Sequence, residues 1–203
     1  LIVTTGFGKS PKYIFYFIGD GMGVNHVQGT EMYQSELKGE IGITPLLFTQ
    51  FPYATMATTF SATNGVTNSA AAGTALATGN KTKNGALGVQ KDLTTEVSSV
   101  ATWAKENGYR VGVSSSVSID HATPAAFYAH RGSRSSYYNI GLDLIEAGFD
   151  FYAASDFLDP YNDKAKDGKS QTNNLYELSQ KAGYTLARGY KDYTKKAKKA
   201  NKM

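Results

Sequence analysis

Hydrophobic and polar positions alternate in blocks along the chain, and these blocks predict the elements of its first half. Residues 12–20 (KYIFYFIGD) are a β-branched and aromatic run that ends in a Gly-Asp-Gly turn, which predicts a buried strand. Residues 53–60 also have strand character, whereas residues 24–37 have a helical pattern. The small residues from 69 to 78 predict a second helix.

The second half continues the alternation of helices and strands. Residues 95–109 predict a helix that Thr95 caps and Gly108 ends, because threonine is a good N-cap and glycine commonly follows a helix. The other predicted elements are a strand at 110–117, helices at 123–132 and 136–148, a strand at 149–154, a polar loop at 159–170, a helix at 174–184 and a short strand at 184–188.

Strands that alternate with helices predict an α/β fold, with a mainly parallel sheet covered by helices on both faces. In such sheets, ligand sites form at the carboxyl ends of the strands. Three groups of residues in the sequence occupy such places: Asp20 after the first strand, Ser69 at the start of a helix, and His121 with Thr123 after the strand at 110–117.

The composition narrows the possible chemistry. The chain has 203 residues, 41% of them apolar and 19% charged, which fits one globular domain with a core. No window approaches the run of about 18 apolar residues that predicts a transmembrane helix. Because there is no cysteine, disulfides, zinc–thiolate sites and cysteine nucleophiles are excluded for this sequence. A metal site is therefore expected to use Asp, Glu, His, Ser or Thr.

The net charge of +4 comes from one end of the sequence. Residues 191–203 contain six lysines and one aspartate, and the rest of the chain is close to neutral. Such a segment is either a solvated helix face or a nucleic-acid patch. We favour the solvated face, since no arginine is interspersed among these lysines.

Asp20 lies between glycines in the stretch FIGDGMG. Glycine on both sides allows backbone and ions to approach closely, and a carboxylate is a good ligand for hard metals or zinc. The same residues also fit a glycine-rich turn in which the aspartate makes only local hydrogen bonds. For this residue taken alone, we favour the glycine-rich turn.

Ser69 opens the stretch SAAAGTALATG. Asn68 or Ser69 can simply be the N-cap of the helix. A helix N-terminus also attracts anions, so a serine there can attack a phosphoryl group while the amides hold its oxygens. A free serine hydroxyl is a weak nucleophile and requires a base or a metal. The sequence lacks the G-x-S-x-G, P-loop and dinucleotide-binding motifs, so we favour metal activation over a histidine-based triad.

The stretch HATPAAFYAHRGSR (121–134) combines His121, Thr123 and Arg134. An arginine guanidinium can hold phosphate with two parallel hydrogen bonds. Alternatively, His121 is structural and Arg134 is a surface residue at a helix end.

Taken together, four segments resemble the alkaline phosphatase family in the same order. They are YIFYFIGDGMG (13–23), VTNSAAAGTALATGNKTKNGALGV (66–89), HATPAAFYAHRGSR (121–134) and GKSQTNNLYELSQKAGYT (168–185). The resemblance implies a three-layer sandwich with a central, mainly parallel sheet flanked by helices, here incomplete. It also implies a metal-dependent hydrolysis of phosphate monoesters, with two zinc ions and one magnesium ion as cofactors.

The resemblance assigns a role to each candidate residue. Ser69 is expected to be the nucleophile that becomes phosphoserine and to contact a zinc ion. Asp20 is expected to bridge one zinc and the magnesium, and Thr123 to bind the magnesium. His121 stands beside the magnesium, at a position that is Asp in some members, and Arg134 is expected to hold the phosphate oxygens.

Two departures from the family pattern stand out. Many members have Asp before the nucleophile, where it can pair with the arginine, but this chain has Asn68, which predicts a looser phosphate clamp. The further Glu, Asp and His ligands of the family are also not found, since no histidine follows Arg134. We therefore expect residues 1–203 to be the N-terminal part of a single domain whose C-terminal half is missing.

Other functions remain open from the sequence alone. They are an inactive fragment or phosphate- or metal-binding domain of the same fold, and a relative such as a phosphodiesterase or sulfatase. The resemblance further implies a homodimer at full length, no nucleic-acid or membrane partner, and a periplasmic or secreted location, although no signal peptide is visible.

Overall fold

The computed structural model describes residues 11–163 and 174–203, which fall into two compact units divided after Ala54. In the first unit, helix α1 spans Val24–Leu37 and a 3₁₀ helix spans Leu47–Gln50. The second unit contains helices α2 Ser69–Thr78, α3 Val100–Glu106, α4 Ala122–Ala125, α5 Tyr137–Ala147, α6 Leu175–Lys181 and α7 Gly189–Lys196, strands β1 Gly112–Ser114 and β2 Phe151–Ala153, and a 3₁₀ helix Ala197–Lys199.

Polar contacts to α1 organise the first unit. The buried carboxylate of Glu31 accepts hydrogen bonds from the Thr49 hydroxyl at 2.6 Å and from the Leu46 backbone amide at 2.9 Å. These bonds, the first of them foremost, lower the pKa of the Glu31 carboxyl. The hydroxyls of Ser35 and Thr44 lie 3.1 Å apart on the same side of α1. These contacts tie the segment after α1 back onto the helix.

The two strands that the structure describes in the second unit run parallel, as the alternating pattern predicts. Val113 of β1 pairs with Tyr152 of β2, and α4 and α5 form the connection between the two strands. Parallel strands require such a crossover. The fully buried side chains include Leu87, Ile140, Phe149 and Leu175, so the core lies between the strands, α5 and the residues around α2 and α4.

Several predicted strands are wrong or too long. Residues 12–20 and 53–60 form no strand with any described residue, and the predicted strand at 184–188 is reduced to a single bridge between Tyr184 and Lys202. The strands at 110–117 and 149–154 shorten to three residues each. A strand exists only where a neighbour accepts its backbone hydrogen bonds, and a local apolar pattern does not identify that neighbour.

The helix predicted at 95–109 begins later than expected. Ser99 caps α3 by accepting a hydrogen bond from the Thr102 amide at 3.0 Å. Thr95 does not cap a helix because its hydroxyl donates a hydrogen bond to the Asp92 carboxylate, and Glu96, the next residue, forms a bridge with Val89. The predicted helix at 123–132 likewise shortens to α4, because Arg131 pairs with Leu87 in an antiparallel bridge. Of the loop predicted at 159–170, residues 164–170 lie outside the described ranges.

The lysine-rich segment forms a solvated helix. In α7, Lys196 pairs with Asp192 one turn earlier at 2.8 Å, and the surrounding lysines are exposed. Such surface pairs stabilise a helix only slightly. In residues 11–163 and 174–203, no helix is both long and apolar enough to cross a membrane.

Candidate active site

The start of α2 presents Ser69 while Asn68 provides the cap. The Asn68 side-chain oxygen accepts hydrogen bonds from the backbone amides of Ala71, at 3.1 Å, and Gly85, at 3.2 Å. Ser69 is the first helical residue and is half-buried. Because Asn68 satisfies the cap, the hydroxyl of Ser69 is not required for that purpose. It lies at the end of the helix where backbone amides and the helix dipole favour negative charge.

Helix α2 packs closely against α4, one turn beyond Ser69. A Cβ atom added at Gly73 would lie 2.9 Å from the Ala126 side chain and 3.7 Å from the Thr123 backbone. Only a residue without a side chain permits this approach. The small residues of α2 therefore bring the helix that carries Ser69 against the segment that carries Thr123.

The segment 85–88 connects α2 to Arg134. The Thr74 hydroxyl of α2 accepts a hydrogen bond from the Gly88 amide at 3.1 Å. Leu87 and Arg131 exchange two backbone hydrogen bonds of 2.8 Å, and the Arg134 amide donates to the Gly85 carbonyl at 2.7 Å. The backbone of Arg134 is thus fixed to the residue that Asn68 also holds.

An ion pair with Asp143 of α5 also holds the residues that precede Arg134. The carboxylate of Asp143 accepts two hydrogen bonds from the Arg131 guanidinium, and a third from the His130 amide at 3.2 Å. Burial raises the pKa of Asp143, and the bonds from Arg131 oppose that shift. Asp143 is 7% exposed, so its charge depends on these partners.

Replacing Asp143 with alanine is expected to destabilise the protein by about 2–3 kcal/mol. Removal of one partner of a buried pair is costly, and the cost is reduced here because Arg131 is partly exposed and can be solvated. Chemical denaturation of the variant and of Asp192→Ala, which breaks a surface pair instead, measures the difference. A loss no larger than that of Asp192→Ala would show that Asp143 does not fasten the segment.

The side chain of Arg134 contacts His121. The guanidinium Nη2 lies 3.2 Å from His121 Nε2, and both residues are half-buried. His121 Nδ1 is buried and has no hydrogen-bond partner among the described residues. The structure therefore brings together His121 and Arg134, and it packs α2 against Thr123.

Asp120 was not predicted as a site residue. It is fully buried, and one carboxylate oxygen accepts a hydrogen bond from the Leu158 amide at 2.8 Å. The other oxygen has no partner among the described residues. Burial raises the pKa of Asp120, and the bond from Leu158 opposes the shift. Its place beside His121 after a predicted strand was the available signal in the sequence.

Asp20 belongs to the first unit. It precedes Gly21, whose φ of +67° places it in the left-handed region that glycine adopts readily. The Met22 amide donates to the Gly19 carbonyl at 3.1 Å, which closes a turn around the aspartate. The predicted glycine-rich turn is present, and the role of Asp20 as a metal ligand stays a prediction.

The described residues match a metal centre only in part. Ser69 and Thr123 offer oxygen atoms of the kind that hard cations bind. Within the described ranges, however, no group of three or more His, Asp or Glu side chains is placed to hold a metal ion. These residues alone therefore do not form a complete metal site.

Comparison with known proteins identifies the family. The alkaline phosphatase family model matches residues 11–158, so the chain belongs to the alkaline phosphatase family. The tissue-nonspecific alkaline phosphatase of Gallus gallus is 35% identical over 149 residues, which cover 68% of this chain and 29% of that protein. Alkaline phosphatase 4 of Drosophila melanogaster is 38% identical over 130 residues, covering 60% of this chain and 22% of that protein.

Solved structures confirm the fold class. The alkaline phosphatase of the Antarctic bacterium TAB5 superposes with a TM-score of 0.71 at 30% identity, covering 91% of this chain and 49% of that chain. A mutant of that enzyme, described with magnesium bound in its M3 site, gives a TM-score of 0.73 at 31% identity, over the same shares of the two chains. The chain thus spans about half the length of these solved relatives and less than a third of the curated ones.

Proposed function

We propose that this chain carries the nucleophile-bearing part of a metal-dependent phosphomonoester hydrolase that acts through a phosphoserine at Ser69. One observation supports the proposal above the others. Asn68, next to Ser69, accepts a hydrogen bond from Gly85, and Gly85 accepts one from the backbone of Arg134. A helix start with a serine is thereby linked through one residue to an arginine, and an arginine can stabilise the charge on a transferring phosphoryl group.

The reaction follows from the chemistry of the two side chains. The Ser69 oxygen forms a bond to phosphorus while the bond from phosphorus to the alcohol oxygen breaks, and the proton of the Ser69 hydroxyl ends on the departing alcohol. Water then attacks the phosphoserine, which releases phosphate and restores the hydroxyl. Arg134 donates hydrogen bonds to the phosphoryl oxygens in both steps.

The metal ions are part of the proposal. The family generally uses metal ions, and we propose two zinc ions and one magnesium ion, with Asp20, Ser69 and Thr123 as their contacts in this chain and His121 beside the magnesium. Such ions lower the pKa of a bound hydroxyl and stabilise charge on transferring oxygens. The remaining ligands would have to come from outside the described residues.

Arg134→Gln is expected to weaken inhibition by inorganic phosphate by about 10- to 100-fold, because it removes charge-assisted hydrogen bonds to the anion. Hydrolysis of p-nitrophenyl phosphate with zinc and magnesium, measured at several phosphate concentrations, gives the inhibition constant. Arg188→Gln is the matched control, since Arg188 is an exposed arginine paired with Asp156 at 3.0 Å. Equal inhibition constants in Arg134→Gln and Arg188→Gln would contradict the assignment of Arg134.

A second candidate is a phosphate-binding member of the same fold without catalysis. The observation in its favour is the absence of a three-ligand metal group among the described residues. Calorimetry with inorganic phosphate, together with the p-nitrophenyl phosphate assay, separates the two candidates. Phosphate binding without turnover, in a sample whose intact mass matches the 21.9 kDa chain, would favour the binding protein.

Family membership also supports proposals on assembly and location. We infer a homodimer at full length and a periplasmic or secreted protein with a phosphate monoester as substrate, and no nucleic-acid or membrane partner. Light scattering on the purified protein tests the dimer, and cell fractionation tests the location.

A further inference from the structure

The contact between Arg134 and His121 fixes the protonation pattern of the imidazole. A guanidinium has hydrogen-bond donors and no acceptor, so His121 Nε2 must accept if it is bonded to Arg134 Nη2 at 3.2 Å. A neutral imidazole that accepts at Nε2 carries its proton on Nδ1. That Nδ1 is buried without a partner among the described residues, so the ring is held at a cost to the folded state.

Asn68 does not orient the guanidinium of Arg134. The Asn68 oxygen is already occupied by the amides of Ala71 and Gly85. The Arg134 guanidinium contacts His121, while the Arg134 backbone amide donates to the Gly85 carbonyl. The backbone of Arg134 is therefore fixed through Gly85, whereas the direction of its guanidinium depends on the imidazole.

We propose that His121 is a positioning residue for Arg134: its Nε2 accepts a hydrogen bond from the guanidinium and holds it ready for phosphate. This assignment adds to the predicted place of His121 beside a metal ion, and it makes the histidine compensate for the neutral residue at position 68. The part of the proposal that concerns phosphate rests on the proposed function, whereas the part that concerns the imidazole does not.

A purely structural histidine would behave differently on substitution. Because His121 leaves a buried Nδ1–H unpaired, its replacement by the apolar ring of phenylalanine removes that cost and is not expected to lower the melting temperature. Loss of phosphate affinity without loss of stability is thus the signature of positioning. Loss of both together would indicate a role in the fold.

The test compares three variants that place an acceptor differently. His121→Gln puts a side-chain oxygen near the position of Nε2, His121→Asn puts one near Nδ1, and His121→Phe provides none. The first readout is the ¹⁵N NMR spectrum of the wild-type imidazole, which distinguishes the Nδ1–H from the Nε2–H form. The same spectra report the guanidinium signals of Arg134, which are assigned by comparison with Arg134→Gln. The second is the affinity for inorganic phosphate in calorimetry.

The proposal predicts the Nδ1–H form in the wild-type protein and altered Arg134 signals in His121→Phe and His121→Asn. It also predicts that these two variants bind phosphate about five- to tenfold more weakly, whereas His121→Gln stays within about twofold of wild type. An Nε2–H imidazole, or Arg134 signals that do not change in His121→Phe, would overturn it. If the wild-type protein does not bind phosphate, the proposed function fails, and the imidazole spectrum still decides this inference.

Discussion

Ser69→Ala is expected to reduce kcat/KM for p-nitrophenyl phosphate by at least about a thousandfold, because no other hydroxyl takes the place of a covalent nucleophile. The free energy of unfolding should fall by no more than about 1.5 kcal/mol, the contribution of one hydrogen bond, since Asn68 caps α2 and alanine is a good helix former. Initial rates with zinc and magnesium, and chemical denaturation of the same samples, measure both quantities.

A serine outside the site serves as the control. Ser116 is exposed, and Ser116→Ala should keep the activity of the wild-type protein. If Ser69→Ala retained a rate close to that of Ser116→Ala, the phosphoserine mechanism would be wrong. If it lost activity together with its fold, the cap assigned to Asn68 would be incomplete.

Gly88→Ala is expected to destabilise the second unit by about 3 kcal/mol or more. Gly88 has a φ of +57°, and an added Cβ would lie 2.1 Å from the Ala129 carbonyl oxygen and 2.9 Å from His130 Nδ1. Neither the backbone nor this ring can move without breaking contacts that Leu87 and Gly88 make to the Arg131 segment. The substitution should also weaken phosphate binding, because Arg134 follows that segment.

Gly79→Ala separates the close contact from the cost of the backbone angle. Gly79 ends α2 with a φ of +74°, and no atom lies within 4 Å of an added Cβ. It should therefore cost only the roughly 1–2 kcal/mol of a left-handed alanine. Chemical denaturation of both variants provides the comparison. Equal losses would mean that the packing of Gly88 against residue 129 does not hold the segment in place.

Local signals in the sequence predicted the helices better than the strands. The bounds of α1 and α2 agree with the predicted ranges 24–37 and 69–78, because a helix makes its hydrogen bonds within itself and its cap residue lies next to it. The strands predicted at 12–20 and 53–60 are absent from the described structure. Their pairing depends on partners far away in the chain, which an apolar run does not specify.

The same distinction applies to the candidate site. Ser69, Thr123 and Arg134 could be proposed from sequence because each lies in a stretch that resembles a known family. Asp143 could not, since a single aspartate in an amphipathic helix is normally a solvated residue, and only the folded chain brings it to Arg131. Gly85 is a further example, because it contacts Asn68 and Arg134 only through its backbone groups, which every residue carries and which the sequence therefore does not mark.

The most direct test of the account is to identify the phosphorylated residue. The protein is incubated with p-nitrophenyl phosphate, zinc and magnesium, quenched in acid, digested and analysed by mass spectrometry. The account predicts one covalent phosphoryl group on the peptide that contains Ser69, and none in Ser69→Ala. Turnover of the substrate with no phosphoryl group on Ser69 would contradict it.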